Sequence, residues 1–308
     1  MSIDLSPFID DCNHNHLFEA KVDSKKFIEP CILGIDEAGR GPVLGPMLYA
    51  VAFYPEHLDK VMKKHHFADS KSLTEERREE IFEKIESDQI DNFGWMAWAI
   101  SPTFINNSML KRRKYNLNTL SHDFAMDLIK LVIEKEVNVK KVFLDTVGPP
   151  EKYKEKLERK FPDIEFVVSK KADSLYTVVS AASICAKVIR DRIVSNWKFR
   201  EGDINGDGYG SGYPSDPKTK KFLDKNLDSI FGFPSITRFS WATVSTILDD
   251  KAVGCRWKEQ PGDDDEPKNG KKPVKTSKEQ PVISFEKEDQ HIFLRSRNLR
   301  RITDFSKI

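Results

Sequence analysis

The sequence predicts an α/β protein, a mixed β-sheet flanked by helices and followed by a helical C-terminal part. Three observations carry this. Short apolar runs at residues 31–36 (CILGID), 47–54 (MLYAVAFY) and 93–100 (FGWMAWAI) have the length and composition of buried strands. Leu117, Leu120, Phe124, Leu128 and Leu131 recur at spacings of three and four, the stripe of an amphipathic helix. Beyond that helix, strand and helix patterns alternate, which adds βαβ units to the first strands and makes the sheet mixed.

Taken in order, residues 1–28 are polar and are expected to form a flexible N-terminal segment. The strand at 31–36 runs into Asp36 and Glu37, and the turn-rich segment 39–46 (GRGPVLGP) leads to the strand at 47–54. After "FADSKSLT", Ser72 and Glu75 have capping-box spacing, and Phe82 with Ile85 gives an apolar face to a helix over 74–87. The strand at 93–100 precedes the long helix over 116–136. A strand over 139–146 (VKKVFLDT), a charged helix and a strand over 164–169 (IEFVVS) follow. The next helix, over 174–199, carries Ser180, Ala181, Ala182, Ser183 and Ala186 early, residues small enough to let a helix approach a sheet closely. Gly and Pro punctuate 202–217, Asp216-Pro217 reads as an N-cap followed by proline at the first helical position, and a last core helix spans 240–250.

The chain has 308 residues and 39% hydrophobic content, enough for one large domain with appendages. The α/β domain is expected over 29–200, with the helical part over 201–257 completing the site. Residues 258–280 are almost devoid of apolar side chains and read as a disordered linker. The tail over 281–308 regains Ile283, Phe285, Ile292, Phe293 and Leu299, and is expected to dock on the core or on a partner. Net charge is +1, so overall charge selects no partner; a nucleic-acid surface would have to come from local clusters such as residues 111–114 or 218–221. The four cysteines, at 12, 31, 185 and 255, lack the spacing of a zinc site or a disulfide framework. No apolar run reaches membrane-spanning length and no signal-peptide pattern opens the chain, so a soluble intracellular protein without membrane contact is expected.

The chemistry concentrates at strand ends. Asp36 and Glu37 close the first strand, Asp145 closes a later one, and Asp173 follows the last, at the opening of the long helix. Adjacent carboxylates repel one another and are costly to desolvate, so a strand end that carries two offers them to something positive. Ends of neighbouring parallel strands meet at one edge of a sheet, where open α/β sheets place their sites. Each Asp could instead be a cap or a turn residue, and Asp173, before a helix, reads equally well as an N-cap. The four together form an all-oxygen set that selects Mg²⁺ or Mn²⁺ over zinc and suits two-metal phosphodiester hydrolysis, with the ions roughly 3.5–4 Å apart. The glycines beside them fit no nucleotide motif. The third glycine of a G-x-G-x-x-G pattern would fall on Leu44, and no G-K-[ST] follows the turn. Gly39, Arg40 and Gly41 are left as a stiff turn that brings bare backbone beside the carboxylates, where a sugar could approach closely.

These motifs are specific enough to name a family. The chain resembles the catalytic subunit of type 2 ribonuclease H, the ribonuclease HII family, on "GIDEAGRGPVLGP" at 34–46, Asp69-Ser70-Lys71, "YNLN" at 115–118, "DTVGPP" at 145–150, "KKADSLY" at 170–176, "SAASICAKVIRD" at 180–191 and "GSGYPSDPKT" at 210–219. The resemblance covers roughly residues 30–257 and implies a ribonuclease H-like mixed sheet. It implies that Asp36, Glu37, Asp145 and Asp173 hold two Mg²⁺ or Mn²⁺ ions. It further implies that the backbone of Gly39, Arg40 and Gly41, together with Tyr213, reads the ribose 2′-hydroxyl, the group that separates RNA from DNA. Lys71 and Asn116 resemble the family's contacts to the DNA backbone. The implied activity is hydrolysis of the RNA strand of RNA–DNA hybrids and nicking 5′ of ribonucleotides embedded in duplex DNA, leaving a 3′-hydroxyl and a 5′-phosphate. The longer forms "DTVGPP" and "GYPSDPKT" resemble the eukaryotic branch. That branch implies a heterotrimer with two non-catalytic subunits, B and C, and a nuclear role in ribonucleotide removal during replication and repair. From 258 onward the sequence carries no family motif.

Overall fold

The computed structural model describes residues 3–65, 67, 73–111, 115–202, 204, 208–254 and, for the backbone, 255–256 and 283–284. Lys71, the linker at 258–280 and nearly all of the tail at 281–308 lie outside the described residues. The chain divides into two units, residues 1–227 with 233–246, and residues 228–232 with 247–308.

The first unit is built on six strands: β1 (His16–Glu19), β2 (Cys31–Ala38), β3 (Met47–Pro55), β4 (Gly94–Ile100), β5 (Val139–Asp145) and β6 (Glu165–Ser169). Their order across the sheet is β1-β4-β3-β2-β5-β6. The first four pair antiparallel, whereas β2–β5 and β5–β6 are parallel. The mixed sheet expected from the sequence is therefore present. β3 is buried along its whole length, which is why "MLYAVAFY" reads as a continuous apolar run without alternation.

Helices α5 (Leu117–Glu134) and α8 (Thr177–Ser195) cover opposite faces of this sheet. Leu33 and Ile35 of β2 join the core cluster that holds Leu120, Leu128, Ile129 and Val132 of α5. Gly34, between them, faces the other way and lies against α8: a Cβ there would stand 2.5 Å from Val178 O. Period-two alternation along β2 thus sends consecutive side chains to different helices. Each fully buried Leu or Ile in these layers contributes about 1.5–3 kcal/mol.

Three sequence expectations are corrected. The segment 1–28 is not loose where it is described. Residues Ser6–Ile9 form α1, and β1 pairs with β4 as the edge strand of the sheet. Phe8, Cys12, Phe18 and Phe27 are all buried, single apolar residues too scattered among polar ones to show a period. The helix expected from Ser72 is α3 (Glu75–Glu86), capped by Thr74, whose side chain accepts from Arg77 N. The helix expected over 174–199 is broken into α7 (Ala172–Leu175) and α8 by Tyr176, whose backbone is extended at φ −124°, ψ 121°. The Tyr176 ring packs on Phe143 of β5, 4.4 Å between centroids. Helix α4 (Pro102–Met109) was not anticipated, although Ser101 caps it and proline follows at its first position. A one-turn helix α2 (Asp59–Met62) follows β3, the charged helix expected between β5 and β6 is α6 (Pro150–Lys160), and α9 (Pro217–Lys225) starts as expected, with Asp216 accepting from Lys218 N.

The second unit includes an antiparallel bridge between Asp228 and Gly232, a bond from Val253 N to Ser229 O at 2.8 Å, and a parallel pair of two-residue strands, β7 (Cys255–Arg256) and β8 (Ile283–Ser284).

Candidate active site

Strand register brings the first carboxylates together. The β2–β5 ladder ends at Ile35 opposite Leu144, so Asp36 and Asp145 stand side by side one residue further on. Asp145 in turn pairs with Ser169 at the end of β6, and Asp173 follows in α7. Asp36 is 7% exposed and Asp173 1%. Burial pushes the Asp36 carboxyl up to about 7, with the negative charges of Asp173 and Asp145 adding to the rise and a hydrogen bond from Ser183 of α8 opposing it. Its Oδ1 also accepts from Glu37 N at 2.8 Å. Three carboxylates thus share one field on the α8 side of the strand end.

Glu37 occupies the other face. Burial pushes it up to about 8, Asp36 and Asp145 add to this, and the Arg40 guanidinium opposes it. Its cross-strand partner is Tyr49. The Asp-Glu pair therefore straddles the sheet edge instead of pointing into one pocket. Among the described residues no group of three His, Cys, Asp or Glu side chains is already arranged as a metal cage. The donor set nevertheless fits a hard divalent cation: four carboxylates at one sheet edge, with no sulfur or imidazole among them.

The glycine segment begins immediately after Glu37. Gly39 has φ +77°, a left-handed conformation that a Cβ penalises. A Cβ there would also stand 2.7 Å from Pro46 O and 2.5 Å from Arg190 Cδ. The carbonyls of this segment turn inward. Arg238, fully buried, donates from Nε to Gly45 O (2.9 Å) and from Nη1 to Arg40 O (3.3 Å). Arg190, also buried, donates to Pro46 O (3.3 Å) and Leu44 O (3.2 Å), and Trp241 Nε1 donates to Gly41 O (2.9 Å). Val43 O accepts from Arg238 N at 2.9 Å. With its carbonyls held, the segment leaves the N–H groups of Arg40 and Gly41 without a hydrogen-bond partner among the described residues, which makes them available to an acceptor such as a sugar hydroxyl.

Tyr213 lies beside this segment. It is 48% exposed, and a Cβ on Gly41 would stand 3.0 Å from its Cε1. The Gly212 carbonyl before it accepts from Val43 N at 2.7 Å, which ties the tyrosine's loop to the glycine segment. The Arg40 side chain turns to α5, donating to Ser121 Oγ and Asn118 Oδ1. Asn116 is the N-cap of α5, its Oδ1 accepting from Thr119 N at 2.9 Å. The fold therefore accounts for that oxygen, and only its amide nitrogen is left for an outside contact.

Sequence reasoning missed Arg238, Trp241 and Tyr49, and gave no role to Arg190. Arg238 lies 193 residues from the Gly45 carbonyl it holds, and no local pattern marks a charged residue as buried.

Comparison with known proteins points the same way. The family model described as Ribonuclease HII matches residues 33–244. The chain is 53% identical over 233 residues to the ribonuclease H2 A subunit of Bos taurus, spanning 75% of this chain and 77% of that protein. It is 52% identical over 245 residues to the corresponding ribonuclease H2 protein of Mus musculus, spanning 79% and 81%. Among solved structures, the ribonuclease H2 from Pyrococcus horikoshii superposes with a TM-score of 0.59 at 31% identity, covering 71% of this chain and 98% of that one.

Proposed function

The chain belongs to the ribonuclease HII family, and from that premise we propose that it is the catalytic subunit of a ribonuclease H2. It hydrolyses the RNA strand of RNA–DNA hybrids and nicks 5′ of ribonucleotides embedded in duplex DNA, leaving a 3′-hydroxyl and a 5′-phosphate. The observation that carries this reading is the adjacency of two devices: carboxylates crowded at the ends of β2 and β5, and, directly downstream, backbone donors packed against Tyr213. A site that cuts next to a ribose needs both within one nucleotide of each other.

Asp36, Glu37, Asp145 and Asp173 hold two Mg²⁺ or Mn²⁺ ions. When bound, such ions activate water as a nucleophile and stabilise the charge that grows on the leaving oxygen. The chain's own residues do the rest. Burial, with the neighbouring carboxylates adding to it, raises the proton affinities of Asp36 and Glu37, and a divalent cation would relieve that cost of holding negative charge there. The N–H groups of Arg40 and Gly41 donate to the ribose 2′-hydroxyl, held in place by the buried guanidiniums behind them, and Tyr213 packs on the sugar that follows. A deoxyribose at the first position offers these donors no acceptor, which is the basis of discrimination. Lys71 and the Asn116 amide contact the DNA strand.

The similarity to proteins that are each one part of a multi-subunit ribonuclease H2 supports assembly with two non-catalytic subunits, B and C, and a nuclear role in removing ribonucleotides during replication and repair. No helix among the described residues is long and apolar enough to cross a membrane. Within this reading residues 29–200 form the catalytic domain, the loop and helix of the first unit that carry Tyr213 complete the substrate site, and the tail at 281–308 is a docking segment for a partner or for the core. The test is Asp36→Asn on an RNA–DNA hybrid. Cleavage should be abolished while hybrid binding persists, and full activity in that variant would sink the assignment.

A further inference from the structure

We infer that Tyr49 is a positioning residue for Glu37, its phenolic hydroxyl fixing the orientation in which that carboxylate meets a divalent cation. The inference rests on the metal-dependent reading given above. Glu37 and Tyr49 are direct partners in the antiparallel β2–β3 ladder. Directly opposed residues share a face of the sheet, with Cβ atoms about 4.5–5.5 Å apart. Tyr49 is 2% exposed, and its Oη is buried without a hydrogen bond of normal geometry.

A hydroxyl buried at this place needs a reason, because buried polar groups are nearly always paired. Packing does not supply one. The side chains of β3 in the same core cluster are Met47, Val51 and Phe53, all without a donor, and a phenylalanine ring would fill the position as well. Nor does the nearest hydroxyl. Ser121 Oγ, on α5, already donates to Leu117 O at 2.8 Å and accepts from Arg40 Nη1. The strong acceptor left beside the phenol is the Glu37 carboxylate, whose negative charge acts on Tyr49.

A phenol that donates to one Glu37 oxygen restricts rotation of the carboxylate and leaves the second oxygen to the cation. Outer partners of this kind commonly account for a 10- to 100-fold difference in metal affinity. The same Ser121 that lies beside Tyr49 anchors Arg40, so the Glu37 ligand and the start of the ribose-reading segment share one support on α5.

The experiment uses full-length Tyr49→Phe beside wild type, in the assembly in which the protein is purified. Mn²⁺ binding is followed by calorimetry, and thermal unfolding is measured in EDTA. The inference predicts that Mn²⁺ affinity falls by about 10- to 100-fold while the melting temperature in EDTA stays close to that of wild type, since the aromatic ring and its packing are kept. Unchanged Mn²⁺ affinity overturns it, and so does a lowered melting temperature without a change in affinity, which would make Tyr49 a core residue only. Failure of the wild type itself to bind Mn²⁺ would overturn the metal-dependent reading, a result that the comparison of the two proteins separates from failure of the Tyr49 role.

Discussion

Substituting alanine at Gly34 places a methyl group where α8 already lies. The new Cβ would stand 2.5 Å from both Val178 O and Val179 N, backbone atoms that no rotamer change can move, whereas ordinary contact begins at 3.4 Å. Helix and strand must therefore separate by about 0.9 Å at this point. Overpacking of this kind costs about 1–3 kcal/mol. At roughly 2–4 °C per kcal/mol for a domain of this size, the melting temperature should fall by about 2–12 °C. The functional loss should exceed the structural one. Asp36 stands two residues along the same face of β2, and its hydrogen-bond partner Ser183 rides on the displaced helix. A misplacement near 1 Å at a reacting centre can cost about 10²-fold in rate. The assay is kcat on an RNA–DNA hybrid at saturating Mg²⁺ and 25 °C, below the melting range, with unfolding followed in parallel by circular dichroism. A Gly34→Ala protein that melts within about 1 °C of wild type and retains its kcat would refute the claim that this backbone contact sets the position of Asp36.

Three other outcomes follow from the geometry. Tyr213→Ala should reduce cleavage at a single embedded ribonucleotide more than cleavage of an all-RNA hybrid strand, because only the former relies on one sugar junction; equal losses on both substrates contradict the stacking role. Arg238→Met removes donors from the Gly45 and Arg40 carbonyls in a fully buried site; each buried group left unpaired costs about 1–3 kcal/mol, so a thermal melt should show a drop of several degrees, and an unchanged melt refutes the clamp. Asp36 and Glu37 have folded-state values raised to about 7 and about 8, so the folded protein holds protons that the unfolded chain releases near pH 4. Stability without metal should then fall as pH rises from about 4 towards 8, and added Mg²⁺ should raise the melting temperature more at pH 8 than at pH 6. A metal-induced shift that is the same at both would remove the carboxylates from that role.

Much of this was legible in the residues because the relevant physics is local. The β3 run is apolar along its whole length since both its faces are covered, and Asp216-Pro217 is a helix start in any context. Asp36 and Asp145 could be placed at one edge because strand ends on parallel neighbours coincide, and their register confirms the placement. That Glu37 turns to the opposite face was implicit in strand alternation. What was hidden depends on distant pairing. β1 is four residues long and becomes a strand only because the open edge of β4 accepts it. Tyr176 interrupts a sequence of good helical pattern where its ring finds Phe143. Nothing local marks Arg190 and Arg238 as buried; only the fold surrounds them with the carbonyls of the glycine segment. The hydroxyl of Tyr49 is invisible within "MLYAV", where an aromatic residue needs no further explanation.

The most direct test of the account uses a labelled DNA duplex with one internal ribonucleotide, incubated with Mg²⁺ and this chain, alone and with its co-purified partners. A single nick on the 5′ side of the ribonucleotide is expected, with none on the matched all-DNA duplex. Cutting of both duplexes alike would contradict the ribose-reading role of Arg40, Gly41 and Tyr213. Tight binding without a nick in either preparation would contradict the account at its centre, the catalytic role of the four carboxylates.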